Sequence, residues 1–151
     1  MDSDILTNLK TAIMTKFNAV DGGGDHNSFF NAVQGKLFYG RAPEGTEFPY
    51  SVFQIITHNM DRTFTEDNRD LLVQFSHFSA DMAASDEAEI INAYCNALFD
   101  ECAAFTIAGA KLLWMKLNNS PGAQPEDFTT PSGTESGWCC STNFDVRISM
   151  N

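Results

Sequence analysis

A chain of 151 residues with 43% hydrophobic content and thirteen phenylalanines is long and apolar enough to build one packed core. Nine Lys and Arg against 20 Asp and Glu leave a formal net charge of −11, which argues against DNA or RNA as a tightly held ligand. No apolar run approaches the ~20 residues of a membrane span, and the opening MDSDILTNLK places acids where a secretory leader needs bases. The expectation is therefore a soluble protein made in a cytoplasm. There Cys95, Cys102, Cys139 and Cys140 stay reduced, and no CxxC spacing offers a zinc site.

Leu6, Leu9, Ile13, Phe17 and Val20 recur at three- and four-residue steps and predict a first amphipathic helix. Asp2, Ser3 and Asp4 are its expected caps, and Gly22-Gly23-Gly24 its stop. Asn27 to Val33 adds one more helical turn with Phe29, Phe30 and Val33 on its apolar side. The glycines before Lys36 do not make a phosphate loop, because Phe30 and Leu37 stand where that pattern needs a glycine and a hydroxyl residue.

Gly35 to Thr57, GKLFYGRAPEGTEFPYSVFQIIT, reads as a short strand, a corner punctuated by Gly40, Pro43, Gly45 and Pro49, and a longer strand. Pro49 biases Phe48 toward an extended backbone, so Tyr50 enters that strand already straightened. The strand runs to Met60, with Val52 and Ile56 expected on one face and Phe53 and Ile55 on the other. Its hairpin partner is Asp70 to Phe78, with Leu71, Val73 and Phe75 on a common face. The connection, Asp61 to Asn68, is polar with a single aromatic, Phe64, which either marks a contact surface or folds back onto the sheet.

Ser85 to Cys102 predicts the next helix. Ala84, Ala88, Ile91, Cys95, Leu98 and Cys102 form its buried line, widened by Tyr94 and Phe99, with Asp86, Glu87 and Glu89 at its positive end. Phe105–Ile107 and Lys111–Leu117 flank Ala-Gly-Ala as a tight hairpin. Asn118 to Gly137 carries three prolines and no periodicity, and reads as a long loop. Trp138 to Met150 alternates apolar and polar residues most cleanly in the chain, as a half-buried antiparallel strand does. The sum is an α+β fold of two layers: one domain over residues 1–151, a mainly antiparallel sheet on two amphipathic helices, with long polar hairpin and loop arms.

Catalytic equipment is missing from this pattern. His58 falls opposite Leu71 and His77 near Val52, about six residues or ~20 Å apart along the ladder, so they cannot share a metal or an acid–base task. No GxSxG, HExxH or GxGxxG motif occurs. The expectation is a non-enzyme without cofactor or metal.

Several features together resemble the tail terminator, or tail completion, proteins of long-tailed bacteriophages and related particles. They are the N-terminal helix, the Tyr39-Gly40-x-x-Pro43 corner, Gly45, the Phe48-Pro49-Tyr50 lead into a strand with Val52-Phe53-Gln54 at its centre, the polar hairpin, the acid-rich helix and the closing strand. The likeness spans most of the chain, but not the loop from Asn118 to Gly137 or the Cys139-Cys140 pair. The resemblance implies a virion protein assembled in the host cytoplasm, forming a ring, typically of six copies, at the head-proximal end of the tail tube. The ring stops tube growth and meets a tube protein on one side and a neck or head completion protein on the other. Genomic DNA passes through without specific binding, and no membrane is involved. On that implication the assembly surface falls on Arg62, Phe64 and Arg69 in the hairpin and on Pro125 and Phe128 in the long loop. Gly40, Pro43, Phe48, Pro49 and Tyr50 shape the strand corner. A neck stopper or head–tail adaptor, or a small α+β ligand-binding module of a different class, fits the same size and the same lack of catalysis.

Overall fold

The structure, a computed structural model, describes residues 2–80, 85–100, 105–130 and 133–150; side chains are described for all of these except 2–4, 128–130, 134 and 135. In chain order the elements are α1 (Asp2–Asn18), α2 (Ser28–Ala32), β1 (Leu37–Tyr39), β2 (Tyr50–Arg62), β3 (Asp67–Ser79), α3 (Asp86–Phe99), β4 (Lys111–Asn119), β5 (Gln124–Thr130) and β6 (Gly133–Ser149). The strands form one sheet in the order β1-β2-β3-β6-β4, with β5 also paired to β6. All pairings are antiparallel except β1 with β2. The two-layer α+β expectation holds, with one parallel pair at an edge.

The helices cover one face of the sheet because their apolar residues repeat at the helical period. From α1, Ile5, Leu9, Ala12, Ile13 and Phe17 are buried. Val20, expected to extend that stripe, lies beyond the helix and is 55% exposed. The helix ends at Asn18 rather than at the glycines. Those glycines serve the turn that follows, where Asp21 Oδ1 accepts from the Gly23 and Asp25 amides at 2.8 and 3.0 Å. The two amides, Asp25 first, pull the Asp21 carboxyl below its ordinary range. The short α2 is held by Asn27, whose side chain accepts from Phe30 N–H at 2.8 Å and donates to the Phe17 carbonyl at 2.9 Å. One residue thus caps α2 and ties it to α1.

In α3 the buried line is Ala88, Ile91, Cys95 and Phe99, while Tyr94 is 41% exposed and does not widen it. Ala84 and Cys102, expected in the same line, lie outside the described residues. The three described cysteines are free thiols. Phe75 sits at the centre of the core, its ring 5.6 Å from Phe53, 5.0 Å from Phe99 and 5.7 Å from Phe144. Each such buried ring contributes about 2–3 kcal/mol of apolar transfer energy.

Three departures from the sequence reading matter for the surface. First, β2 contains a bulge between Ile55 and Thr57. The extra residue, Ile56, has no partner in the β2–β3 ladder and is 47% exposed, and the in–out parity of β2 is shifted from Thr57 onward. Second, half of the polar connection from Asp61 to Asn68 is strand: Asp61 pairs with Asn68 and Arg62 with Asp67, leaving Thr63–Glu66 as the tip. Third, the expected loop from Asn118 to Gly137 is a second arm. Its residues Gln124–Thr130 pair with Gly133–Cys139. Period-two burial is absent there because residues 124–127 are exposed, so ladder hydrogen bonds form strands that no apolar pattern announces. Similarly, Phe105–Ile107 is not a strand; only Ile107 bridges Ala110 before β4 begins.

Candidate assembly surface

Residue contacts resolve the corner expected from Gly40, Pro43, Phe48, Pro49 and Tyr50. Gly40 adopts φ 81° and donates its N–H to the Phe53 carbonyl at 2.9 Å, turning the chain off β1. The Pro43 carbonyl accepts from both Thr46 N–H and Thr46 Oγ1, at 3.2 and 2.6 Å. The Phe48–Pro49 peptide is cis. Phe48 stacks on Tyr50 at 5.4 Å, and Tyr50 packs on Phe78 of β3 at 5.0 Å. Lys36 Nζ donates to the Glu47 carbonyl at 2.8 Å and so clips the corner shut. Between this corner, the outer face of β2–β3 and Asp127 of β5 runs an open groove of about 930 Å³.

The residues expected at the contact surface separate into three groups. Phe64, at the tip of the β2–β3 hairpin, is 110% exposed and touches no core, so the folded-back alternative is ruled out. Arg62 is also outward, its Nε 3.4 Å from Asp67. Arg69 is different: it is 2% exposed, with Nε and Nη2 donating to the two Asp67 oxygens at 3.0 and 3.1 Å. Strand alternation explains this correction: Arg69 lies two residues before Leu71 on the unbroken strand β3 and so shares the inward face of Leu71 and Val73. The Arg69 guanidinium is the main cause of the lowered Asp67 pKa. Pro125 is exposed on β5 opposite Trp138; Phe128 stands opposite Glu135 in the ladder, and its side chain lies outside the described residues. A proline is tolerated there because β5 is an edge strand.

Two buried or semi-buried clusters were not anticipated. Ser51 Oγ and His77 Nδ1 lie 2.7 Å apart, both residues 0% exposed. The pair has the composition of half a hydrolase dyad but no route for a substrate. His77 faces the Phe29 ring at 5.5 Å, and its Nε2 has no partner. The ladder position of His77, opposite Ser51, was the sequence signal that could have revealed it. On the other face, Arg147 of β6 donates to Asp70 at 2.9 Å and to Asp61 at 2.8 Å, over the Trp114 ring at 5.6 Å. This clamp ties the hairpin arm to β6 and β4. It is a surface network worth little in energy but much in alignment.

The thiols are not nucleophiles in waiting: burial pushes Cys139 up to about 11 and raises Cys95 well above the ordinary value. His26 stacks on Phe30 at 3.7 Å, and His58 and His77 stand opposite Leu71 and Ser51, six positions apart on β3. Among the described residues no group of His, Cys, Asp and Glu could hold a metal ion. No helix among the described residues is long and apolar enough to cross a membrane.

This geometry defines an open, mostly antiparallel sheet with one helical face and two projecting hairpin arms. A chain of the virion of a native gene transfer agent particle has the same fold, with TM-score 0.68 over 96% of this chain and 97% of that one at 13% identity. A second solved chain aligns over 93% and 94% with TM-score 0.45 and 14% identity, too loosely to inform the comparison. No protein-family model and no curated protein matches the sequence.

Proposed function

We propose that this chain is a structural component of a phage-like virion and, within it, the tail terminator. In this reading copies of the chain form a ring of six on the head-proximal end of the tail tube, end tube polymerisation and join the tail to a neck or head completion protein. One observation carries the reading: the chain shares its fold from end to end with a chain of a gene transfer agent virion. The features of Gly35–Thr57 that resemble tail terminators are consistent with it, since the corner is built of structural contacts. Such a subunit works by presenting matched surfaces, and the two arms with the exposed Phe64 supply them. The reading assigns no catalytic step and no cofactor.

The test is assembly of particles with the gene for this chain deleted. Electron microscopy should show tail tubes longer than wild type and full heads without tails, restored by supplying the chain. Tubes of normal length with leaking heads would make it a neck stopper instead. Normal particles would return it to the class of small ligand-binding modules.

A further inference from the structure

Large apolar side chains are exposed toward both edges of this sheet, on β2 beyond the end of β1 and on β4, and the formal charges of the two stretches are opposite. On β2 and its arm these are Ile56, Met60 and Phe64, at 47%, 49% and 110% exposure. Past Phe53, where β1 ends, β2 is paired on one side only among the described residues. No lysine or proline guards this stretch, and those are the usual blocks on an open edge. The arm from Asp61 to Asp67 holds three acids and Arg62; Asp61 is paired with Arg147 and Asp67 with Arg62 and Arg69, which leaves Glu66 at the tip as the acid available to a neighbour. On β4, at the far edge, Trp114 and Leu117 are 37% and 38% exposed. That strand contains Lys111 and Lys116 and no acid. Its outer edge is also unpaired by any described strand, save that the Leu117 N–H donates to Asp100 at 2.8 Å.

We propose that these two edges are the two halves of one interface, the β2 arm of one copy seated on the β4 edge of the next. Charge selects this pairing over its rivals. A β4–β4 contact sets Lys111 and Lys116 against their own copies and a β2–β2 contact sets Glu66 against its own copy, whereas β2–β4 brings Glu66 to the lysines. Phe64 and Met60 then cover apolar surface around Trp114 and Leu117. Because the two halves are different patches on opposite edges, the contact is head-to-tail and closes into a ring or continues as a filament. The Arg147 clamp contributes to both halves, holding Asp61 of the arm and lying over Trp114 of β4 in the same subunit. This deepens the ring reading above and rests only on the part of it in which copies of this chain join one another.

The experiment uses the full chain and two variants, Met60→Asp with Phe64→Ser on the arm, and Lys111→Glu with Lys116→Glu on β4. All four positions are exposed, so both variants should melt as the parent does. Native mass spectrometry and light scattering should show an oligomer for the parent. Each variant should need about a hundredfold higher concentration to assemble, the loss expected when an interface's central anchors are removed. Mixed one to one, the variants each retain one intact half, so mixed dimers and nothing larger should form. A β4 variant that assembles like the parent, or a parent that stays monomeric at its highest soluble concentration, overturns the proposal. Tail length reports separately on function. Normal tubes without the chain, alongside the expected mixed dimers, would sink the terminator role and leave the interface standing. Overlong tubes with no dimers would do the reverse.

Discussion

His77 is the residue whose ionisation state most directly reports on the core. Burial between Phe29 and Phe75 holds its pKa at about 3, against an ordinary 6.5. The folded value lies below the unfolded one, so the unfolded chain takes up a proton first as pH falls. Its contribution is therefore complete above about pH 6.5 and is lost progressively toward pH 3. Urea midpoints measured across that window should fall more steeply for the parent than for His77→Gln; parallel curves would show that the histidine is not buried neutral. At the core's centre, Phe75→Ala removes contacts to four other phenylalanines and should cost about 3–5 kcal/mol by urea denaturation.

At the scale of elements, α2 is too short to hold itself and depends on Asn27. Asn27→Ala removes both the cap on Phe30 N–H and the bond to the Phe17 carbonyl, and should destabilise the domain by about 1–2 kcal/mol. Thermal melting that matches the parent would show that α1 and α2 are positioned by packing alone. The β5–β6 arm behaves oppositely. Residues 133–137 of β6 pair only with β5, beyond the end of β3, and residues 124–127 of β5 are exposed. Excising residues 128–135 and closing the arm with a two-residue turn should shift stability by less than about 1 kcal/mol. Under the proposed terminator role it should also impair joining of tails to heads. Unfolding of the shortened chain would mean the arm is structural rather than a contact element.

For the whole molecule, net charge decides how a polyanion is treated. Phosphate binding gains its free energy from counterions released by clustered cations. Here Arg69 and Arg147 are engaged with Asp67, Asp61 and Asp70, and the segment from Asp61 to Glu101 carries ten acids and two bases. The assembled protein should accordingly show no retention of duplex DNA in fluorescence anisotropy at low salt. Tight binding that weakens steeply with added salt would contradict the expectation that genomic DNA is not specifically held by this protein.

Period alone determined a good part of this protein. The three-and-four spacing in α1 and α3 and the alternation of Leu71, Val73 and Phe75 and of Cys140 to Ile148 place a half-buried sheet under amphipathic helices. These signals survive in the sequence because burial of one face is what selects apolar residues. Where neither face is buried, the sequence is silent, and the β5–β6 arm therefore read as a loop. Register is equally invisible: only the ladder shows that Ile56 is an extra residue in β2, which shifts how Thr57 to Arg62 pair with β3. Ser51 with His77, and Arg147 with Asp61 and Asp70, are 26, 86 and 77 residues apart in the chain. Strand order brings them together, and that order is decided by tertiary packing. The same holds for the two outer edges, since no local pattern states which strand will end with a neighbour on one side only.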